Sequence, residues 1–189
     1  MIDIFKVSIH SDKLKINNKK LISYILGLKK KIKGRHISSP TGWQSGDLNL
    51  EEKIFLPLIK QISNNFLDYK NKLLLKGNFK ISNMWANVNS YKDYNQIHGH
   101  GSSVVSGVYY LNVPKNSGKI FFVHPASQLV DRCWKECTEE YNEQNSPIFF
   151  VNGLKSHLLL FPGWLHHGVR PNLNKKNNRI SISFDISKI

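Results

Sequence analysis

Apolar and polar residues alternate near the end of this chain. In "RISISFDI", residues 179–186, Ile180, Ile182 and Phe184 alternate with Ser181, Ser183 and Asp185. A period of two predicts a strand with one buried face. Arg179 stands at its head, on the serine side. Similar short runs recur between turn-rich joints: "FKISNMWANVNSY", "SSVVSGVYYLNV", "GKIFFVH", "SHLLLFPG" and "HGVRPN". The first part of the chain has a different period. "NNKKLISYILGLKKKIKG" carries a helical stripe of Leu21, Ile22, Ile25, Leu26 and Ile32, with Asn17 or Asn18 as cap and Gly34 as its end. "LNLEEKIFLPLIKQISNNFLDYKNKLL" carries a second stripe of Ile54, Phe55, Leu58, Ile59, Ile62 and Phe66. Asn49 is its expected cap, with Glu51 and Glu52 in the first turn and Pro57 restricting the early turns. The expected architecture is mainly β with flanking helices. A helical part covers about 1–78 and a strand core about 79–189, with the helices packed on one side of a rolled antiparallel sheet. The stretch 124–153 interrupts the strands without clear patterning, as lids and binding loops do.

The length of 189 residues suggests one domain, 1–189, and allows a sizeable core. Hydrophobic residues make up 40% of the chain, which excludes a disordered polypeptide. Lys and Arg outnumber Asp and Glu by 27 to 13, a formal charge of +14, which keeps nucleic acid open as a partner. Part of that charge reflects a composition loaded with Lys, Asn and Ile, the residues of AT-rich codons. The first residues contain no apolar core of signal-peptide length, and no run reaches the roughly twenty apolar residues of a membrane helix. A cytoplasmic protein with no membrane partner is expected. Cys133 and Cys137 in "CWKEC" lack a second pair for a zinc site and read as structural or incidental.

Eight histidines occur, and four fall in two clusters, "NQIHGHG" and "FPGWLHHGVRPN". On an extended strand His98 and His100 share a face, which suits two ligands of one metal. His166 and His167 face opposite ways on a regular strand, so at most one of them joins the first cluster. His166 reads as a rim residue, and His124 as facing either pocket or solvent. Trp43 and Trp85 read as core anchors, and Trp164 as a wall of the site. A redox-active iron needs imidazoles on one side and open positions for a chelating acid and dioxygen on the other. The far carboxylate of a dicarboxylate such as 2-oxoglutarate needs a guanidinium, which grips it with two parallel hydrogen bonds. Arg179 is the candidate anchor, with Ser181 on the same face.

Six blocks in order carry a family resemblance: "TGWQSGDL" (41–48), "WANVNSY" (85–91), "NQIHGH" (95–100), "SGVYYLNVP" (106–114), "FPGWLHHGVRPN" (161–172) and "RISISF" (179–184). The chain resembles the iron(II)- and 2-oxoglutarate-dependent oxygenases. Within them it resembles the branch found in cyanophages and marine bacteria, related to the prolyl 4-hydroxylases. The resemblance implies a double-stranded β-helix, a jelly roll of cupin-like form. It implies Fe(II) held by His98 and His167, and 2-oxoglutarate held by Arg179 and Ser181. One of Tyr109 and Tyr110 lines the cosubstrate pocket, with Tyr110 assigned. One of Asn87 and Asn89 does the same on the preceding strand, with Asn89 assigned. The wider superfamily has His-x-Asp where this chain has His98-x-His100. Ligation by His100 is the preferred reading, and it leaves the metal a full charge more positive. The other reading sets His100 behind the ligands, with Asp93 or water completing the site. The implied activity is a dioxygenase that hydroxylates a protein or other substrate, with dioxygen consumed and succinate and carbon dioxide released. Protein or peptide is the favoured substrate and nucleic acid a second, in the cytoplasm of the host cell if the gene is a phage's. Two rivals remain: a three-histidine cupin-like dioxygenase that does not use 2-oxoglutarate, and a non-catalytic metal-binding module.

Overall fold

The computed structural model describes residues 2 and 4–189. Among the described residues ten strands form two antiparallel sheets. The larger sheet takes β1 (His10–Lys13), β2 (Trp43–Gln44), β3 (Phe79–Asn89), β5 (Val105–Asn112), β8 (His157–Pro162) and β10 (Arg179–Lys188), in the order β1-β8-β5-β10-β3-β2. The smaller sheet takes β4 (Asn95–His98), β6 (Ile120–Val123), β7 (Ile148–Val151) and β9 (His167–Val169), in the order β4-β9-β6-β7.

The alternation in the sequence decides what each face of the larger sheet meets. On β10, Ile180, Ile182, Phe184 and Ile186 join the main core, as do Met84, Ala86 and Val88 of β3 and Tyr109 and Leu111 of β5. That core is closed by two helices, α1 (Asn18–Lys31) and α2 (Leu56–Lys72), through Leu21, Ile25, Leu58, Ile62 and Phe66. The other face of the same sheet meets the smaller one. Val108, Tyr110, Leu159 and Phe161 pack there against Ile120 and Phe122. Strands that cross between two facing antiparallel sheets, with helices against the outside of one, make a double-stranded β-helix.

Asn17 caps α1 by accepting from Lys20 N–H, and the helix stops at Lys31, before Gly34. The second helix starts later than its apolar stripe suggests. Residues 50–55 form turns, with Asn49 Oδ1 accepting from Glu51 N–H, and α2 begins at Leu56 with Pro57 in its first turn. Proline has no N–H to donate and its fixed φ suits that position, so it starts the helix rather than kinking it. The first 78 residues also supply β1 and β2, paired to β8 and β3. The unpatterned stretch 124–153 contains α3 (Ser127–Trp134) and the edge strand β7. Cys133 and Cys137 are exposed and unpaired. Among the described residues no helix is long and apolar enough to cross a membrane.

Candidate active site

A cavity lies between the two sheets. Its floor is the polar face of β10 and its neighbours. Strand register sets that face in rows: Asn89 beside Arg179, then Asn87–Ser181–Tyr110, then Trp85–Ser183–Val108, then Asn83–Asp185–Ser106. The smaller sheet supplies the opposite wall. There His98 of β4 and His167 of β9 are direct cross-strand partners.

Three imidazoles converge at this wall. Each of His98, His100 and His167 offers a ring nitrogen, and these nitrogens all lie within 4.8 Å of one another. β4 ends at His98, so His100 arrives from the following turn, whose backbone is held by a hydrogen bond from His100 N–H to Gly163 O at 2.8 Å. Each ring is also fixed on its far side. His98 Nδ1 lies 2.8 Å from Gln96 O, and His167 Nδ1 lies 2.9 Å from Leu165 O. Carbonyl oxygens only accept, so both Nδ1 atoms carry the proton and both Nε2 lone pairs are free. His100 Nδ1 faces the Asp185 carboxylate, with the two oxygens at 3.0 and 3.2 Å. Burial lowers the pKa of His98, and it lowers that of His167 from 6.5 to about 3, with the neighbouring His98 adding to the effect. The His98 and His167 rings are therefore neutral near pH 7, the form that binds metals.

The other end of the cavity holds an unpaired cation. Arg179 is only 2% exposed. Its Nη1 donates to Ser117 O and, at 3.1 Å, to Arg170 O. Its Nη2 is buried without a partner, and among the described residues no carboxylate lies within ion-pair distance of the guanidinium. Burial pulls its pKa from 12.5 to about 10, opposed by Tyr110 and Asp93, so it stays charged at neutral pH. A buried, unpaired charge is expensive by several kcal/mol. A site with that feature at one end and three lone pairs at the other is short of an anion and a cation. A metal ion chelated by one end of a dicarboxylate satisfies both, so these residues fit iron(II) and 2-oxoglutarate.

Ser181, Tyr110 and Asn89 line the same cavity, and so does Asn87. Tyr109 faces the other way and donates to Asn18 Oδ1 at 2.7 Å. Asp93 does not join the imidazoles; its Oδ2 accepts from Ser90 N–H at 2.7 Å. His124 and His166 are exposed. Of the tryptophans, Trp43 is in the core, but Trp85 is not. Trp85 stands on the cavity side of β3 and stacks on His100, with centroids 5.8 Å apart. Its neighbours in sequence, Met84 and Ala86, take the core face, and alternation turns Trp85 to the site. Trp164 is 54% exposed and does not line the cavity.

Two further residues of the site gain their roles only in the folded chain. Asp185 lies on the same alternating face as Arg179, which was the available signal. Gln44, in the block "TGWQSGDL", is buried at the cavity wall. Its Nε2 donates to Asn87 Oδ1 at 2.9 Å and to Ser38 Oγ, while its Oε1 accepts from the backbone of residues 37–39.

Three imidazoles and a buried guanidinium in one cavity between facing sheets could hold a metal ion and an acidic ligand together. The family profile described as "Putative 2OG-Fe(II) oxygenase" matches residues 83–185, more than half of the chain, and the chain belongs to that family. Its cofactors are iron(II) and 2-oxoglutarate. No curated protein matches. Among solved structures, a prolyl-4-hydroxylase from Pseudomonas putida is similar over 97% of this chain and 94% of its own, with a TM-score of 0.67 at 11% identity. HygX from Streptomyces hygroscopicus, with nickel and 2-oxoglutarate bound, covers 96% of this chain and 83% of its own, with a TM-score of 0.65 at 12% identity. The viral collagen prolyl hydroxylase of Paramecium bursaria Chlorella virus-1, as a 2-oxoglutarate complex, covers 96% of each chain, with a TM-score of 0.60 at 13% identity. At such identities the likeness is one of fold.

Proposed function

We propose that this oxygenase hydroxylates a protein or peptide side chain, with His98, His100 and His167 holding iron(II) and Arg179, helped by Ser181, holding the distal carboxylate of 2-oxoglutarate. The observation that carries the reading is the buried, unpartnered Nη2 of Arg179 in the same cavity as the imidazole cluster. Bound iron(II) would supply the chemistry that couples reduction of dioxygen and decarboxylation of 2-oxoglutarate, to succinate and carbon dioxide, with insertion of one oxygen atom into a substrate C–H bond.

The chain's own residues bind and orient. The Nδ1 hydrogen bonds of His98 and His167 aim their free lone pairs inward. The guanidinium, fixed through Nη1 to Ser117 O and Arg170 O, turns Nη2 toward the anion and so sets its reach. Ile120, Val169 and Phe161 form an apolar wall that excludes water. Tyr110, its hydroxyl pKa pushed up to about 12 by burial, stays protonated and available as a donor. A second depression shares Trp85, His98 and His100 with the cavity and adds Arg35, Ile37 and Asn83. We assign it to the substrate, since it reaches the imidazoles from the side away from Arg179.

The peptide preference rests on the likeness to prolyl hydroxylases; the charge of +14 favours nucleic acid as the second reading. Residues 1–189 act as one oxygenase domain. Exposed, free Cys133 and Cys137 suit a reducing cytoplasm, that of a host cell if a phage carries the gene. Succinate release, measured with and without added peptides or oligonucleotides, tests the substrate class. Stimulation by peptides supports the proposal, and stimulation by oligonucleotides alone overturns it.

A further inference from the structure

His100 occupies the position where the wider superfamily has a metal-binding aspartate. An all-imidazole cluster contributes no negative charge of its own. The nearest negative charge to this cluster sits on another strand. Asp185 of β10 is 9% exposed, and its two carboxylate oxygens lie 3.0 and 3.2 Å from His100 Nδ1. Ser106 Oγ donates to the same carboxylate at 2.6 Å and fixes its orientation. The strand pairing of β10 with β3 shifts register just after Asp185, an irregularity of the kind that re-aims a side chain. His100 also lies against two other rings. It stacks on Trp85 at 5.8 Å and lies parallel to His167 at 5.3 Å, with 6° between the planes. An ionised carboxylate only accepts, so the proton sits on Nδ1 facing Asp185 and Nε2 is left as the free nitrogen.

From this geometry we infer that Asp185 is a positioning residue that returns the missing negative charge to the metal centre through His100. The carboxylate accepts a hydrogen bond from Nδ1–H, fixes the tautomer and makes Nε2 a stronger donor to a cation. It does not bind the metal itself. The arrangement moves the family's carboxylate one imidazole outward and supplies it from a strand that reaches the site 85 residues later in the chain. The inference rests on the proposed reading of His98, His100 and His167 as iron ligands.

The test uses anaerobic full-length protein and iron(II) alone as the probe, with the affinity and the Fe(III)/Fe(II) midpoint potential as readouts. Asp185→Asn keeps the shape and removes the charge. It is expected to weaken iron(II) binding by about tenfold or more and to raise the midpoint potential, since the oxidised ion loses more by losing an anion. A purely structural role would lower the thermal stability of the metal-free protein and leave the potential of the bound fraction unmoved. The second variant pair is made in a His100→Asp background, where no imidazole links Asp185 to the metal. There Asp185→Asn is expected to leave affinity unchanged or to improve it, because two adjacent carboxylates repel. Equal affinity and equal potential for wild type and Asp185→Asn overturn the inference, as does the same loss in both backgrounds. Absence of iron(II) binding by the wild type is a different failure: it removes the iron reading itself, and this inference with it.

Discussion

His98 and His167 stand directly opposite each other on β4 and β9, with ring centroids 4.4 Å apart. Cross-strand pairing alone brings them together, although 69 positions separate them in sequence; each ring is then locked by its Nδ1 hydrogen bond to a carbonyl two residues earlier. Replacement of either by Ala is expected to abolish tight iron(II) binding while leaving the metal-free fold intact. Calorimetric titration with iron(II), beside a far-ultraviolet spectrum and a melting curve, checks this. Retained affinity in both variants contradicts their assignment as ligands.

In the proposed site, Arg179 would act on the cosubstrate alone. Arg179→Ala is expected to weaken 2-oxoglutarate binding by about 2–5 kcal/mol, the range for truncating one member of a buried charge pair, with iron(II) affinity unchanged. Arg179→Lys keeps the charge without the fork and falls between the two. In thermal melts, 2-oxoglutarate with iron(II) raises the midpoint of the wild type and not that of Arg179→Ala. A three-histidine dioxygenase indifferent to 2-oxoglutarate would show the same melting curves for both.

The strands β3, β5, β6, β8, β9 and β10 were legible because their alternation is long or strongly apolar. β1 and β2 were not: one has the polar sequence "HSDK" and the other is two residues long, so pairing with β8 and β3 creates them. The start of α2 was misread because the apolar stripe begins before the proline that fixes the first turn. At the site, Arg179 and the histidines were legible as residue types at telling spacings. Asp185 and Gln44 were not, because their meaning comes from partners far away in sequence: His100 for one, Ser38 and Asn87 for the other. Trp85 was taken for core because burial of an aromatic is the usual outcome. The orientation of β3 overrides that expectation.

Acid should destabilise the metal-free protein. The folded pKa of His167 lies at about 3 against an ordinary 6.5, and that of His98 is lowered too. Between those values the unfolded chain binds more protons than the folded one, so stability is complete above pH 6.5 and falls as the pH drops toward 3. Asp185 acts in the same direction. Burial alone would raise its pKa, but hydrogen bonds from His100, Ser106 and Asn83 bring it below the usual carboxylate range, so its contribution is lost on protonation. Urea unfolding from pH 7 to pH 4 should show a steady decline, shallower in His167→Gln. A flat profile would contradict the burial of neutral imidazoles.

Gly118 lies in the loop before β6, against the backbone that holds the Arg179 guanidinium. Its φ is +84°, and an added Cβ would strike the backbone of Arg170, whose carbonyl accepts from Arg179 Nη1. Gly118→Ala is expected to destabilise the protein by about 1–3 kcal/mol and to weaken 2-oxoglutarate binding more than iron(II) binding. Denaturant melts and paired titrations measure the two effects.

In the proposed site, one cavity holds iron(II) at His98, His100 and His167 and a dicarboxylate at Arg179. The most direct measurement is anaerobic addition of iron(II) and 2-oxoglutarate to metal-free protein, followed in the visible spectrum. A charge-transfer band that needs both additions, and that disappears in His167→Ala and in Arg179→Ala, is the predicted result. Iron(II) binding without a band in the presence of saturating 2-oxoglutarate would contradict the claim.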